Sequence, residues 1–122
     1  MMKSRVIFTA ILAGTALTGC INMPTPVSQI TGAYVSPVMY ETYDCHRLGI
    51  ELGSLSRREN QLATAQDQRM NSSMVQAFLI GAGSGDGIEA SELANVRGQR
   101  EAVISAMEQK SCVVNTVNVA AK

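Results

Sequence analysis

Apolar positions along this chain change their spacing several times, and each change marks an element. A run from Val6 to Leu17 is apolar with few breaks and follows Lys3 and Arg5. From Ile21 to Val38 the periodicity disappears among Pro24, Pro26 and Pro37, with Ser, Thr, Gln and Gly between them. That stretch predicts a flexible tether, in which Ile30 to Val35 can pair at most as a short edge strand. A helical pattern begins near Tyr40 and is clear from Cys45, where Cys45, Leu48, Leu52, Leu55, Glu59 and Leu62 recur at spacings of three and four. One apolar stripe on an otherwise polar cylinder predicts a helix lying on a partner. Gly49 and Gly53 fall one turn apart within it, each lowering helix propensity by about 1 kcal/mol relative to Ala. Two readings of that pair stay open, a close helix contact at their face and plain tolerance. A second amphipathic helix is predicted from Glu89 or Ser91, with Ser91 as its cap, to Gln109; its stripe is Leu93, Val96, Arg100, Val103 with Ile104, and Met107. Lys110 suits the negative end of that helix. Past Cys112, the tail 113–122 alternates Val with Asn and Thr and is expected to fray.

The first apolar run changes the picture most. A basic start, twelve apolar or small residues and a small-residue end describe a secretory signal peptide, and twelve are too few for the roughly 20 that span a membrane. It closes on Leu17-Thr18-Gly19-Cys20, which resembles the lipobox of bacterial lipoproteins. The resemblance implies a leader over 1–19, diacylglycerol on the Cys20 thiol and an acylated, for instance palmitoylated, new amino group. Several acyl chains hold a protein stably where one does not. By the same resemblance, Ile21 is not the Asp that retains many lipoproteins at the inner membrane, so an outer-membrane site facing the periplasm is expected.

Three cysteines are an odd number, which a secreted chain must account for. With Cys20 consumed by lipid, Cys45 and Cys112 remain as a pair in an oxidising compartment. Their disulfide contributes roughly 4 kcal/mol in the chain-entropy model, a large share for so small a core. If the helices run antiparallel from that tie, Leu48 falls opposite Met107, Leu52 opposite Ile104 and Leu62 opposite Val96, apolar against apolar at each level. The expected architecture is mainly α: a flexible tether over 20–38, then a disulfide-tied antiparallel helical hairpin over 39–112.

The same register leaves residues 70–87 outside the paired stretch. Asn71-Ser72-Ser73 can stop one helix and cap another, Met74 to Ile80 is strongly apolar, and Gly81, Gly83, Gly85 and Gly87 make a flexible return. A short third helix folded over the open end of the hairpin is therefore expected. Met74, Val75, Phe78, Leu79 and Ile80 are either that cap or an exposed patch that docks on a partner or dips into lipid.

Composition narrows the function classes. Loss of Lys3 and Arg5 with the leader leaves eight basic against ten acidic side chains, no footprint for nucleic acid. Phe78, Tyr34, Tyr40 and Tyr43 are the only rings after Cys20 and Trp is absent, which disfavours a stacked-ring ligand site. The glycine run lacks the Lys and Ser or Thr of a phosphate loop, with Ile88 and Glu89 in those places. Asp86 and Glu89 are too few oxygen ligands for calcium. His46 is the sole histidine and sits beside Cys45, which excludes zinc sites needing two. Neither catalytic residues, cofactor, metal nor small-molecule substrate is expected.

Tyr40-x-x-Tyr43-Asp44-Cys45, Leu48-Gly49-x-Glu51-Leu52-x-x-Leu55 and Glu92-Leu93-Ala94-x-x-Arg97-Gly98-x-x-x-Ala102 together resemble a group of small proteobacterial lipoproteins. That resemblance implies a cysteine-bracketed helical hairpin and carries no activity or site residue. The expected role is a non-enzymatic envelope lipoprotein, structural, assembling or adapting, bound to the membrane through Cys20 and to an envelope protein. The alternative is an exclusion or blocking lipoprotein of a phage or mobile element, which secretion, lysis or conjugation genes alongside would favour; an enzyme ranks third.

Overall fold

A computed structural model describes residues 22–113. Its described residues hold two α-helices, α1 (Cys45–Ile80) and α2 (Ile88–Gln109), and short 3₁₀ turns at Val27–Gln29 and Pro37–Tyr40, with no strand among them. The helices pack against each other with Cys45 bridged to Cys112 at a Cα separation of 5.5 Å. The mainly α, disulfide-tied antiparallel hairpin is as the periodicity and the cysteine count imply.

Local chemistry explains the helix ends. The Asp44 carboxylate accepts from the Arg47 backbone N–H at 2.7 Å, capping α1. Gly81, left-handed at φ 76°, closes it and donates to the Ala77 carbonyl. Helix α2 begins at Ile88, one residue before the Glu89 alternative and three before Ser91, and Ser91 is no cap: its hydroxyl donates back to the Ile88 carbonyl. At the far end Ser111 takes φ 55°, its N–H donating to Glu108 O while Cys112 N–H donates to Met107 O. This double closure turns the chain sharply and delivers Cys112 to Cys45.

The core lies between the stripes. Leu48, Leu55, Val96, Ala102, Val103, Ala106 and Met107 are buried together with Tyr40, and Leu52, Leu62 and Cys112 pack at their margin. Glu59, within the α1 stripe, takes Arg97 Nε at 2.9 Å and Arg100 Nη1 at 3.0 Å from α2.

Two expectations are corrected. The third helix over Met74 to Ile80 does not exist as a separate element, because α1 continues through Asn71-Ser72-Ser73 for 36 residues, about 54 Å at 1.5 Å each. The serines that were to stop it find partners without leaving the helix: Ser72 Oγ donates to Gln68 O, and Ser73 Oγ meets Ser84 Oγ at 2.7 Å. The flexible tether is, from Asn22 onward, a strap packed along the hairpin. Pro24 and Ile30 are buried, and the irregular stretch Ile30 to Val35 sends a hydrogen bond to a helix, Ala33 N–H to Ala94 O at 2.8 Å, and forms no strand.

Gly98 makes that crossing possible. A Cβ built there would collide with the Ala33 carbonyl oxygen, so only a glycine lets the strap touch α2. Gly49 and Gly53 have no such task, since a Cβ at Gly49 meets nothing within 4 Å and one at Gly53 meets only Arg57 Nη1, at 3.7 Å. The close-contact reading of that pair is overturned, and tolerance remains.

Candidate functional site

The open end of the hairpin combines three things: the start of the strap, the glycine return and the last turns of α1. Residues 81–87 run back beside α1, and polar side chains hold them there. Gln66, buried on α1, donates from Nε2 to Thr25 O at 2.9 Å and to Asp86 Oδ1 at 2.8 Å. Asp86 also receives the Thr25 backbone N–H at 2.6 Å and the Thr25 hydroxyl at 2.5 Å. These two bonds from Thr25, with the Gln66 amide and the Arg69 charge, hold the Asp86 carboxyl below its usual range. Arg69 pairs with Glu89 through Nε at 3.1 Å and lowers the Glu89 pKa in the same way.

The expected flexible connector is therefore a seated one. Gly85 donates its N–H to Asn22 O at 2.9 Å, and Ser84 N–H and Oγ both face Ser73 Oγ. A Cβ at Gly83 would lie 2.6 Å from Asn22 O, so small residues here are required by the approach of the strap. The apparent calcium pair is used up internally, Asp86 by Thr25 and Gln66, and Glu89 by Arg69.

Beyond this polar lock the end of α1 projects. Met74 is 51% exposed, Val75 60%, Phe78 90%, Leu79 71% and Ile80 76%. They cover no core, so the cap reading fails and the exposed-patch reading fits their positions. The cause is the register: Arg69 meets Glu89 near the start of α2, and residues 70–80 lie past it, Ser73 among them bonded to Ser84 of the glycine return. At 100° per residue, Met74, Phe78, Val75 and Leu79 share a face about 140° wide, while Ser73 turns toward Ser84.

At the other end Tyr40 and Tyr43 meet edge to face with ring centroids 5.5 Å apart, and the Arg47 guanidinium lies 3.8 Å above the Tyr43 ring. Burial, then Glu51 and Tyr43, pushes the Tyr40 hydroxyl pKa up. Lys110, expected to answer the helix dipole, donates from Nζ to Glu41 O at 2.6 Å and so fastens the turn before α1. His46 is exposed next to the bridged Cys45.

Cys20 with its leader, and tail residues 114–122, lie outside the described residues. Sequence reasoning missed Gln66, Asp86 with Thr25, and Arg97 with Gly98. Arg97 Nη1 donates to Val27 O at 2.8 Å and also to Ile30 O, so one guanidinium ties strap, α1 and α2. The visible signal was Arg97-Gly98 inside an otherwise strong helix former, a glycine with a helix cost and no turn to justify it. No helix among the described residues is long and apolar enough to cross a membrane. Compared with known proteins, the chain matches no family model, no curated protein and no solved structure.

Proposed function

We propose that this chain is a non-enzymatic envelope lipoprotein, anchored through acylated Cys20 at the outer membrane and facing the periplasm, where it serves as a structural, assembly or adaptor subunit. The observation that carries the reading is the disulfide. Pairing Cys45 with Cys112 accounts for two of three cysteines and leaves Cys20, within the lipobox-like Leu17-Thr18-Gly19-Cys20, two residues ahead of the packed strap. A structural disulfide also fits an oxidising compartment. The adaptor role is supported by where the chain spends its polar side chains. Asp86, Glu89, Glu59 and Arg97 are committed to holding strap and helices together, while the end of α1 leaves Met74, Val75, Phe78, Leu79 and Ile80 exposed.

Replacing Cys20 with Ser is the direct test. The variant should incorporate no labelled palmitate and leave the membrane fraction or stay unprocessed. Normal palmitate incorporation by Cys20→Ser refutes the reading. Copurification of the lipidated chain from envelopes then identifies the partner.

A further inference from the structure

We propose that the apolar end of α1, from Met74 to Ile80, is a second membrane contact that seats in the surface of the same lipid leaflet as the anchor. The choice of lipid as its occupant rests on the Cys20 anchor proposed above. Three observations on the described residues support it.

The first is position. Gly85 N–H is bonded to Asn22 O at 2.9 Å, and Ser84 is bonded to Ser73, the residue before Met74. The strap thus starts against the glycine return that leads directly out of the apolar end. Two residues of chain reach about 7 Å, so a lipid on Cys20 enters the bilayer beside this end and far from the disulfide. The second is charge. No ionisable side chain occurs between Arg69 and Asp86, and both of those are engaged, Arg69 by Glu89 and Asp86 by Thr25 and Gln66. Residues 70–85 enter a low-dielectric layer without desolvating a charge. The third is size and shape. One helical face carries Met74, Val75, Phe78 and Leu79, with Ile80 at the end, an amount suited to burial about 5–10 Å deep at the headgroup boundary and too short to span.

With anchor and apolar end in one leaflet, the hairpin stands on its open end and presents the Cys45–Cys112 end to the periplasm. Because no free cation flanks the patch among the described residues, the contact should not require anionic lipid and should resist salt.

Trp is absent from the sequence, so single tryptophans report cleanly. Phe78→Trp and, as a control about 42 Å along the same helix, Ile50→Trp replace exposed side chains without touching the core. Each full chain, processed in bacteria and palmitate-labelled, is reconstituted in phosphatidylcholine vesicles carrying bromine at graded depths. Indole emission from the Phe78→Trp chain should be quenched, most strongly by bromines at about 5–10 Å, and emission from the Ile50→Trp chain should not change. Unquenched emission from labelled Phe78→Trp overturns the proposal while the anchor stands. Quenching of Phe78→Trp in protein that takes no label supports the contact although the anchor reading fails. Cross-linking of Phe78→Trp chains into dimers in the vesicles, with emission shielded from bromine, makes a second copy the occupant and also overturns it.

Discussion

The two ends of the hairpin are closed by different chemistry. At one end a covalent bond joins Cys45 to Cys112, and Tyr40, Leu48 and Met107 are buried close by. At the other, Gln66, Thr25, Asp86, Arg69 and Glu89 join strap, return loop and helices by hydrogen bonds and an ion pair, while α1 runs on past them with its apolar side chains exposed. The first end stabilises the fold. The second fixes geometry and leaves surface free, and exposed ion pairs such as Arg58 with Glu92 add little to either. The difference shows why one helix can be both scaffold and contact: its Cys45 half is held by packing, so its last turns need not be.

The largest effect should come from opening the disulfide. Cys45→Ser with Cys112→Ser is expected to lower unfolding stability by roughly 4 kcal/mol, read as a reduced denaturant midpoint that added reductant no longer alters. An unchanged midpoint would mean that the apolar stripes alone close that end.

Next is the strap, which spans both ends. Gly98→Ala pushes a methyl group into the Ala33 carbonyl and should lift the strap from α2 at a cost of about 1–3 kcal/mol. Faster amide exchange at Ala33 checks the mechanism, since its N–H would lose the Ala94 carbonyl. Gly49→Ala, with open space around it, should raise stability by about 0.5–1 kcal/mol and serves as the contrast.

Acidification should loosen the polar lock more than the disulfide end. In the folded chain Asp86 sits below its ordinary value of 3.8, so its contribution is complete above that value and is lost as pH falls through it toward the folded value. Amide exchange at Thr25 and Gly85, corrected for its intrinsic pH dependence, should therefore quicken relative to Leu48 as the solution is acidified below about 4. Asp86→Asn should shrink that relative change to the part carried by Glu89 with Arg69.

The smallest effect is expected at the projecting end. Phe78→Ser with Leu79→Ser removes two large side chains that cover no core, and the melting midpoint should shift by less than the equivalent of about 0.5 kcal/mol per site. A loss of several kcal/mol would restore the cap.

Much of this was legible in the chain because the relevant physics is local. Three-and-four spacing named both helices, the first of them from Cys45, and an odd cysteine count selected Cys45 and Cys112 as partners. The uncharged, apolar character of Met74 to Ile80 was equally plain. What these residues cover was not, because Asn71-Ser72-Ser73 reads as a stop signal wherever its hydroxyls lack other partners. Ser73 has one in Ser84, eleven residues on, and that contact exists only once the return loop is seated. Likewise, nothing aperiodic between Asn22 and Val38 announces burial. The strap is ordered by Arg97, Ala94, Gln66 and Asp86, all at least 41 residues distant, and by the missing side chain of Gly98. Periodicity reports which face of a segment is apolar; tertiary structure decides whether that face is covered, because the covering atoms come from elsewhere in the chain.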